Sequence, residues 1–215
     1  MRWAQALVIA ALCLPAASAQ VDLSQPLAAD EHTLCLFHLD DVAGGNIEDA
    51  AGGPAGVVSD ALPSFGRFGG AMSCDAAQGW ADVAQPANAP ERTGLTVECW
   101  AKFRKRAHGD IICRNYEYMI RISGTVQAYL GIDGQWRQVH GATAVPVGRW
   151  THLAMTYDEQ SKQARIYVDG RLDVAQVPEG ITEGRLNVRD TRLRIGSNTW
   201  EPGRGVPDGK LDEVR

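Results

Sequence analysis

Trp150-Thr-His-Leu-Ala-Met-Thr-Tyr-Asp158, followed by Ala164-Arg-Ile-Tyr-Val-Asp-Gly-Arg171, is the stretch that decides the fold. Successive side chains of a β-strand point to opposite faces, so Trp150, His152, Ala154 and Thr156 share one face and Thr151, Leu153, Met155 and Tyr157 the other. Both faces carry bulk, as expected of a strand covered on both sides. Asp169-Gly170 then supplies two residues that tolerate positive φ, the requirement of a tight hairpin. His152 has the chemistry of a general base. No nucleophile or acid lies beside it in this stretch, and a buried, hydrogen-bonded histidine accounts for it better.

Working outward, short segments of alternating apolar and polar residues recur, bounded by Gly, Pro, Asn and Asp. They predict strands over Leu34–Leu39, Ala71–Cys74, Trp80–Val83, Leu95–Phe103, Asp110–Cys113, Tyr116–Ser123 and Thr125–Ile132. Further strands are expected at Gln135–Thr143, Trp150–Tyr157, Gln163–Val168, Arg171–Val177, Arg192–Ser197 and Lys210–Arg215. Asp133-Gly134 and Ser123-Gly124 mark two more tight turns, and Gly44-Gly45-Asn46 with Ala51-Gly52-Gly53-Pro54 reads as one long irregular loop. No window shows helical periodicity, and internal repeats are absent. About a dozen strands in one domain is the count of an all-β, two-sheet antiparallel jelly roll.

The N-terminus speaks for export. Arg2 precedes an apolar run from Ala4 to Leu14, Pro15 breaks it, and Ala17-Ser18-Ala19 has the small-x-small pattern of a cleavage site. Residues 1–19 read as a signal peptide cut before Gln20, residues 20–31 as a polar lead-in, and residues 32–215 as the domain. The run is shorter than the roughly 20 apolar residues a spanning helix needs, and no later segment is more apolar, so no membrane span is expected. Roughly 196 residues remain, enough for one sandwich with a full core. Net charge is −5 and the basic residues are scattered; the one cluster, Arg104-Lys105-Arg106, sits in a turn, so no nucleic-acid partner is expected. Cys13 leaves with the signal, and Cys35, Cys74, Cys99 and Cys113 show no metal-ligand spacing. If Leu95–Phe103 and Asp110–Ile120 form a hairpin, Cys99 and Cys113 lie opposite one another, within reach of a cross-strand disulfide.

A set of motifs in order carries a family resemblance. Leu95-Thr-Val-Glu-Cys-Trp-Ala-Lys-Phe103, the 150–171 hairpin, Leu193-Arg-Ile-Gly-Ser197 and Gly209-Lys-Leu-Asp-Glu-Val-Arg215 resemble the strands of laminin-G-like jelly rolls of the concanavalin A type. Phe68-Gly-Gly-Ala-Met-Ser-Cys74 and the strand at Leu34 extend the likeness over roughly residues 32–215. The resemblance implies a structural calcium ion where the chain's beginning and end meet. Carried onto this sequence, Asp212 would be the ligand of the final strand, with Asp40 and the carbonyl of Gly69 or Gly70 as companions and Asp49 as a weaker candidate. It also implies about ten more residues after the last strand than this sequence holds, which would weaken the pairing of last strand with first.

Function is less legible. Laminarinase-type hydrolases share the sandwich and place carboxylates at alternate positions of one strand, about 5–5.5 Å apart. Here Asp30-Glu31, Asp40-Asp41, Glu48-Asp49, Asp158-Glu159 and Asp212-Glu213 are adjacent pairs, which a strand would point to opposite faces. No Gly-x-Ser-x-Gly elbow is present. Tyr116, Tyr118, Trp136 and Trp200 lie in or beside turns, where their rings could stack on the C–H faces of a sugar or plug the ends of the sandwich. The sequence thus points to an exported, non-catalytic module that binds a glycan or a cell-surface protein. An accessory or catalytic piece of a secreted glycoside hydrolase, and a structural surface module without a small ligand, remain the alternatives.

Overall fold

The computed structural model describes residues 22–75, 77–87, 92–201, 205 and 207–215; the expected signal peptide and Gln20 lie outside them. Fifteen strands are present among the described residues. In chain order they are β1 (Asn46–Ile47), β2 (Gly56–Ser59), β3 (Leu62–Phe65), β4 (Gly70–Asp75), β5 (Trp80–Val83), β6 (Gly94–Phe103), β7 (His108–Arg114) and β8 (Tyr118–Ser123). Then follow β9 (Thr125–Ile132), β10 (Gln135–Ala144), β11 (Thr151–Asp158), β12 (Gln163–Val168), β13 (Arg171–Gln176), β14 (Leu193–Ile195) and β15 (Asp208–Asp212). One sheet has the order β1-β2-β5-β14-β7-β8-β9-β10, the other β13-β12-β11-β6-β15-β4-β3, and all neighbours are antiparallel. The chain is the expected all-β jelly-roll sandwich. Among the described residues no helix is long and apolar enough to cross a membrane.

The alternation in the deciding hairpin does what the pleat requires. Leu153, Met155 and Tyr157 of β11 and Ile166 of β12 join the core between the sheets, while His152, Ala154 and Thr156 take the outer face. Asp133-Gly134 and Asp169-Gly170 hold positive φ at both residues (52° and 77°, 50° and 71°), the geometry of the primed hairpin turns.

Three features differ from the sequence expectation. The long loop after the first segment contains β1, β2 and β3. Leu34–Leu39 is not a strand: its one pairing is the bridge of Phe37 with Val214. The segments around Cys99 and Cys113 do not form a hairpin either. β6 pairs with β11 and β15 in one sheet and β7 with β8 and β14 in the other, because residues 104–107 carry the chain across the sandwich. Cys99 therefore points into the core and Cys113 sits beside Thr199, with 3.6 Å between Sγ and Oγ1. Cys35, Cys74, Cys99 and Cys113 are all free thiols, and the expected Cys99–Cys113 bridge is absent.

Candidate functional site

On the outer face of the eight-stranded sheet, Tyr116 stacks on Trp136 with 5.7 Å between ring centroids and 20° between planes. Tyr129 meets Trp136 edge-on at 6.1 Å, and the Arg121 guanidinium lies 5.3 Å over Tyr129. Register explains the grouping. The two-residue turn after Ile132 sets Gln138 opposite Tyr129, and Met119 faces Tyr129 on the other side, so outward side chains of three strands meet here. Tyr116 itself is 49 % exposed and sits at φ 60° in the turn between β7 and β8. Its carbonyl accepts a hydrogen bond from Asn187 Nδ2 (2.9 Å) and packs so closely on Gly131 that no Cβ fits there.

A buried ionic knot fixes this turn. Glu117 Oε2 accepts from Arg92 Nη2 at 2.6 Å, Oε1 accepts from the Arg189 N–H at 2.8 Å, and Arg114 Nε stands 2.9 Å from Oε1. Arg114 also donates to the carbonyls of Ala87 and Arg189, so three loops are tied to one carboxylate.

The four aromatics named from sequence thus part company. Tyr116 and Trp136 come together. Tyr118 turns into the core, where burial pushes its phenol up, so it presents no ring to solvent. Trp200 is 44 % exposed and has no ring contact with the pair among the described residues. Tyr129 was missed, although counting back from the Asp133-Gly134 turn would have placed it opposite Gln138 and diagonal to Trp136.

At the end of β15 in the other sheet, Asp212 Oδ2 accepts the N–H groups of Arg67 (2.6 Å) and Phe68 (3.0 Å). Asp40 Oδ1 accepts the Gly70 N–H, and the close approach of Asp40 to Gly69 and of Asp212 to Gly66 leaves no room for a Cβ at either glycine. Loop 66–70 therefore brings Asp40, Asp212 and several carbonyls into one cradle. Asp212 is fully buried, its Oδ1 has no partner, and burial pushes its carboxyl up to about 7. An orphaned buried oxygen among carbonyls fits a hard cation. No cluster of three or more carboxylate, imidazole or thiolate groups is present among the described residues, so such an ion would depend on carbonyls. Asp49 belongs to a different contact set: its Oδ1 accepts the N–H groups of Leu36 and Ala51, both at 2.9 Å.

The outer face of the seven-stranded sheet carries Thr96, Glu98, Trp100 and Lys102 along β6. Glu98 is the one acid among them. It accepts from His152 Nε2 at 2.9 Å and from Arg215 Nε at 2.8 Å, so the acid missing beside His152 in its own strand is supplied by the neighbouring one. Burial raises the Glu98 carboxyl, but the His152 hydrogen bond and the Arg215 charge outweigh it and hold it below its ordinary value. Such a carboxylate is fully engaged in an ion pair.

Two packed antiparallel sheets in this order define a concanavalin A-type sandwich. The chain belongs to the concanavalin A-like lectin/glucanases superfamily, whose laminin G family model matches residues 75–215. No curated protein sequence matches the chain. Among solved structures, it is similar to domain 4 of an extracellular arabinanase from Geobacillus stearothermophilus, solved in complex with arabinotriose. The TM-score is 0.60 at 17% identity, over 85% of this chain and 90% of that one. The receptor binding domain of botulinum neurotoxin type G matches with a TM-score of 0.57 at 14% identity, over 84% of this chain and 46% of that one. A Trypanosoma rangeli sialidase matches with 0.52 at 14%, over 89% and 32%. The chain thus spans less than half of the last two, and at these identities the likeness is one of fold.

Proposed function

We propose that the domain is an exported, non-catalytic module that binds a carbohydrate on the Tyr116–Trp136 platform. The observation that carries this is the half-exposed Tyr116 ring, held by the Glu117 knot, Asn187 and Gly131 rather than left to wander. A pre-set aromatic face costs little ordering on binding, and sugar C–H faces stack on such rings. Gln138 and His140 leave the same face of β10 and are exposed, which supplies partners for hydroxyls. The arabinanase domain that shares the fold was solved holding arabinotriose, which fits a saccharide ligand.

The signal-like residues 1–19 support the export part of this reading, which also includes a structural calcium ion at Asp212 and Asp40. Asp212, Asp40 and the carbonyls of loop 66–70 would hold it, and its charge would offset the buried carboxylate.

The test is a glycan-array screen of the mature domain, then titration of the best oligosaccharide into wild type, Trp136→Ala and Tyr116→Ala, with circular dichroism to confirm folding. The expected result is at least about tenfold weaker binding in each folded variant, 1.4 kcal/mol being a factor of ten. Unchanged affinity in both would move the site elsewhere. Hydrolysis of the bound glycan that vanished in Glu98→Gln would replace the module with an enzyme.

A further inference from the structure

Beside the aromatic platform the same face turns polar, and the register lines up the change. Arg121 of β8 pairs with Gln127 of β9, and Gln127 with His140 of β10, so the three share one row across the sheet. Met119, Tyr129 and Gln138 form the next row, and Gly131 with Trp136 the one after it. Rows on one face are two residues apart, about 6.6 Å. The side chains lean across that gap. The Arg121 guanidinium lies 5.3 Å over the Tyr129 ring, and Tyr129 meets Trp136 at 6.1 Å. A cation therefore stands one ring beyond Trp136, where a sugar stacked on the platform would be joined by its neighbour.

Asp110 of β7 sets what that cation can do. Arg121 donates to it from Nε at 2.5 Å and from Nη2 at 3.1 Å, a fork on a carboxylate that is itself 2% exposed. Asp110 Oδ2 also accepts from Asn198 Nδ2 at 3.2 Å, and its close approach to Gly205 leaves no room for a Cβ there. Asp110 thus holds Asn198 and Gly205 by its own contacts, and Arg121 is not needed for them. The guanidinium spends two of its five N–H groups on Asp110 while its side chain stays 32% exposed, which leaves donors for a ligand.

Among the described outward-facing residues of β7 to β10, Asp110 is the one carboxylate and Arg121 the one guanidinium, and they cancel. A sugar hydroxyl can accept a charge-assisted bond from Arg121 without disturbing that balance. A ligand carboxylate would compete with Asp110 for the fork and face its buried charge, which salt screens little.

We propose that Arg121 selects the ligand of this platform, and that the ligand is an uncharged oligosaccharide, one ring stacked at Tyr116–Trp136 and the next holding its hydroxyls to Arg121. This rests on the platform reading above: Tyr116 and Trp136 supply the stacking, and Arg121, fixed by Asp110, the discrimination.

The probes are tetramers of galacturonic acid and of glucuronic acid, each as free acid and as methyl ester, with neutral arabino-, gluco- and galacto-oligosaccharides of the same length. They are titrated into wild type, Trp136→Ala, Arg121→Gln, Asp110→Asn and the double variant Asp110→Asn/Arg121→Gln, with circular dichroism to confirm folding. Wild type should bind its best uncharged probe at least about tenfold more tightly than either acid, and Arg121→Gln should lose about tenfold on that probe. Asp110→Asn strips the cation of its counter-charge, so its affinity for the acids should rise about tenfold and fall with salt; the double variant, with neither charge, should show no such rise. Should Asp110→Asn not fold, the wild-type preference and the Arg121→Gln loss decide alone. The proposal is overturned if wild type binds an acid as tightly as its best uncharged probe, if Arg121→Gln binds that probe as wild type does, or if folded Asp110→Asn gains no affinity for the acids. Trp136→Ala separates this from the platform reading. Binding that Trp136→Ala leaves intact, or no binding at all, refutes the platform and the proposal with it, whereas Trp136-dependent binding with any of the three results above refutes the choice of ligand alone.

Discussion

Removing the Glu117 carboxylate should strongly destabilise the domain, and the size of the loss follows from what it balances. The Glu117 side chain is fully buried, Arg114 is 2% exposed and Arg92 6% exposed. One anion therefore sits among two guanidiniums and the Arg189 N–H. Glu117→Ala leaves both cations in the interior without a counter-charge. Breaking a buried pair from one side costs about 3–5 kcal/mol, against a total stability of about 5–15 kcal/mol for a domain. With a urea slope of about 2 kcal/mol/M, the unfolding midpoint should fall by about 2 M. Glu117→Gln, which keeps one acceptor and the shape, should lose less. Replacing Glu117, Arg92 and Arg114 together by apolar residues of similar volume should cost less than Glu117→Ala alone, because no orphaned charge is left. Equilibrium urea unfolding followed by tryptophan fluorescence measures all of these. A Glu117→Ala midpoint within about 0.5 M of wild type, which at that slope is about 1 kcal/mol, would refute the claim that this knot holds the turn carrying Tyr116.

Two further outcomes follow. Calcium in the millimolar range should raise the melting temperature of wild type over that in chelator, and Asp212→Asn should abolish the difference while leaving the chelated protein at least as stable, since Asn can still accept the Arg67 and Phe68 N–H groups. Identical curves for wild type with and without calcium would leave Asp212 as a loop-capping residue. Asp133 accepts N–H groups from Thr182, Gly184 and Arg185; burial opposes ionisation, but these bonds win and hold its carboxyl down to about 2. A depressed carboxyl stabilises the folded state above its unfolded value of 3.8 and loses that contribution as pH falls through about 2. The stability gap between wild type and Asp133→Asn should therefore narrow from pH 4 to pH 2 in thermal melts; a gap that ignored pH would show that Asp133 does not clamp the 182–185 loop as a carboxylate.

The strands that sequence placed well are those whose own alternation faces a core, such as β9, β11 and β12, or that flank a turn needing positive φ. Those it missed lack that signature. β3 has Leu62 at 68 % and Phe65 at 89 % exposure and contains Pro63, so nothing in its pattern marks a buried face; it is a strand because β4 offers it an edge. Residues 104–107 failed differently. A turn between two strands has the same local chemistry whether the chain folds back as a hairpin or crosses to the other sheet, and here Gly209 and Lys210 of β15 occupy the place beside Phe103 and Lys102 that β7 would have taken.

The candidate site was legible in part for the same reason. Tyr116 and Tyr118 are two apart, which on one strand would put both rings on one face. They lie on opposite sides of the sheet because Tyr116 precedes the strand and holds φ 60°, a conformation that costs a non-glycine residue energy and persists only where the surroundings enforce it. Those surroundings are Asn187, Gly131 and the Glu117 knot, which reaches 72 residues along the chain to Arg189, and no local pattern announces them. The strain is itself informative. Tyr118 relaxes into the core, whereas Tyr116 is held outward over Trp136 by contacts that also tie the neighbouring loops together, and their product at this corner is a fixed, half-exposed aromatic face.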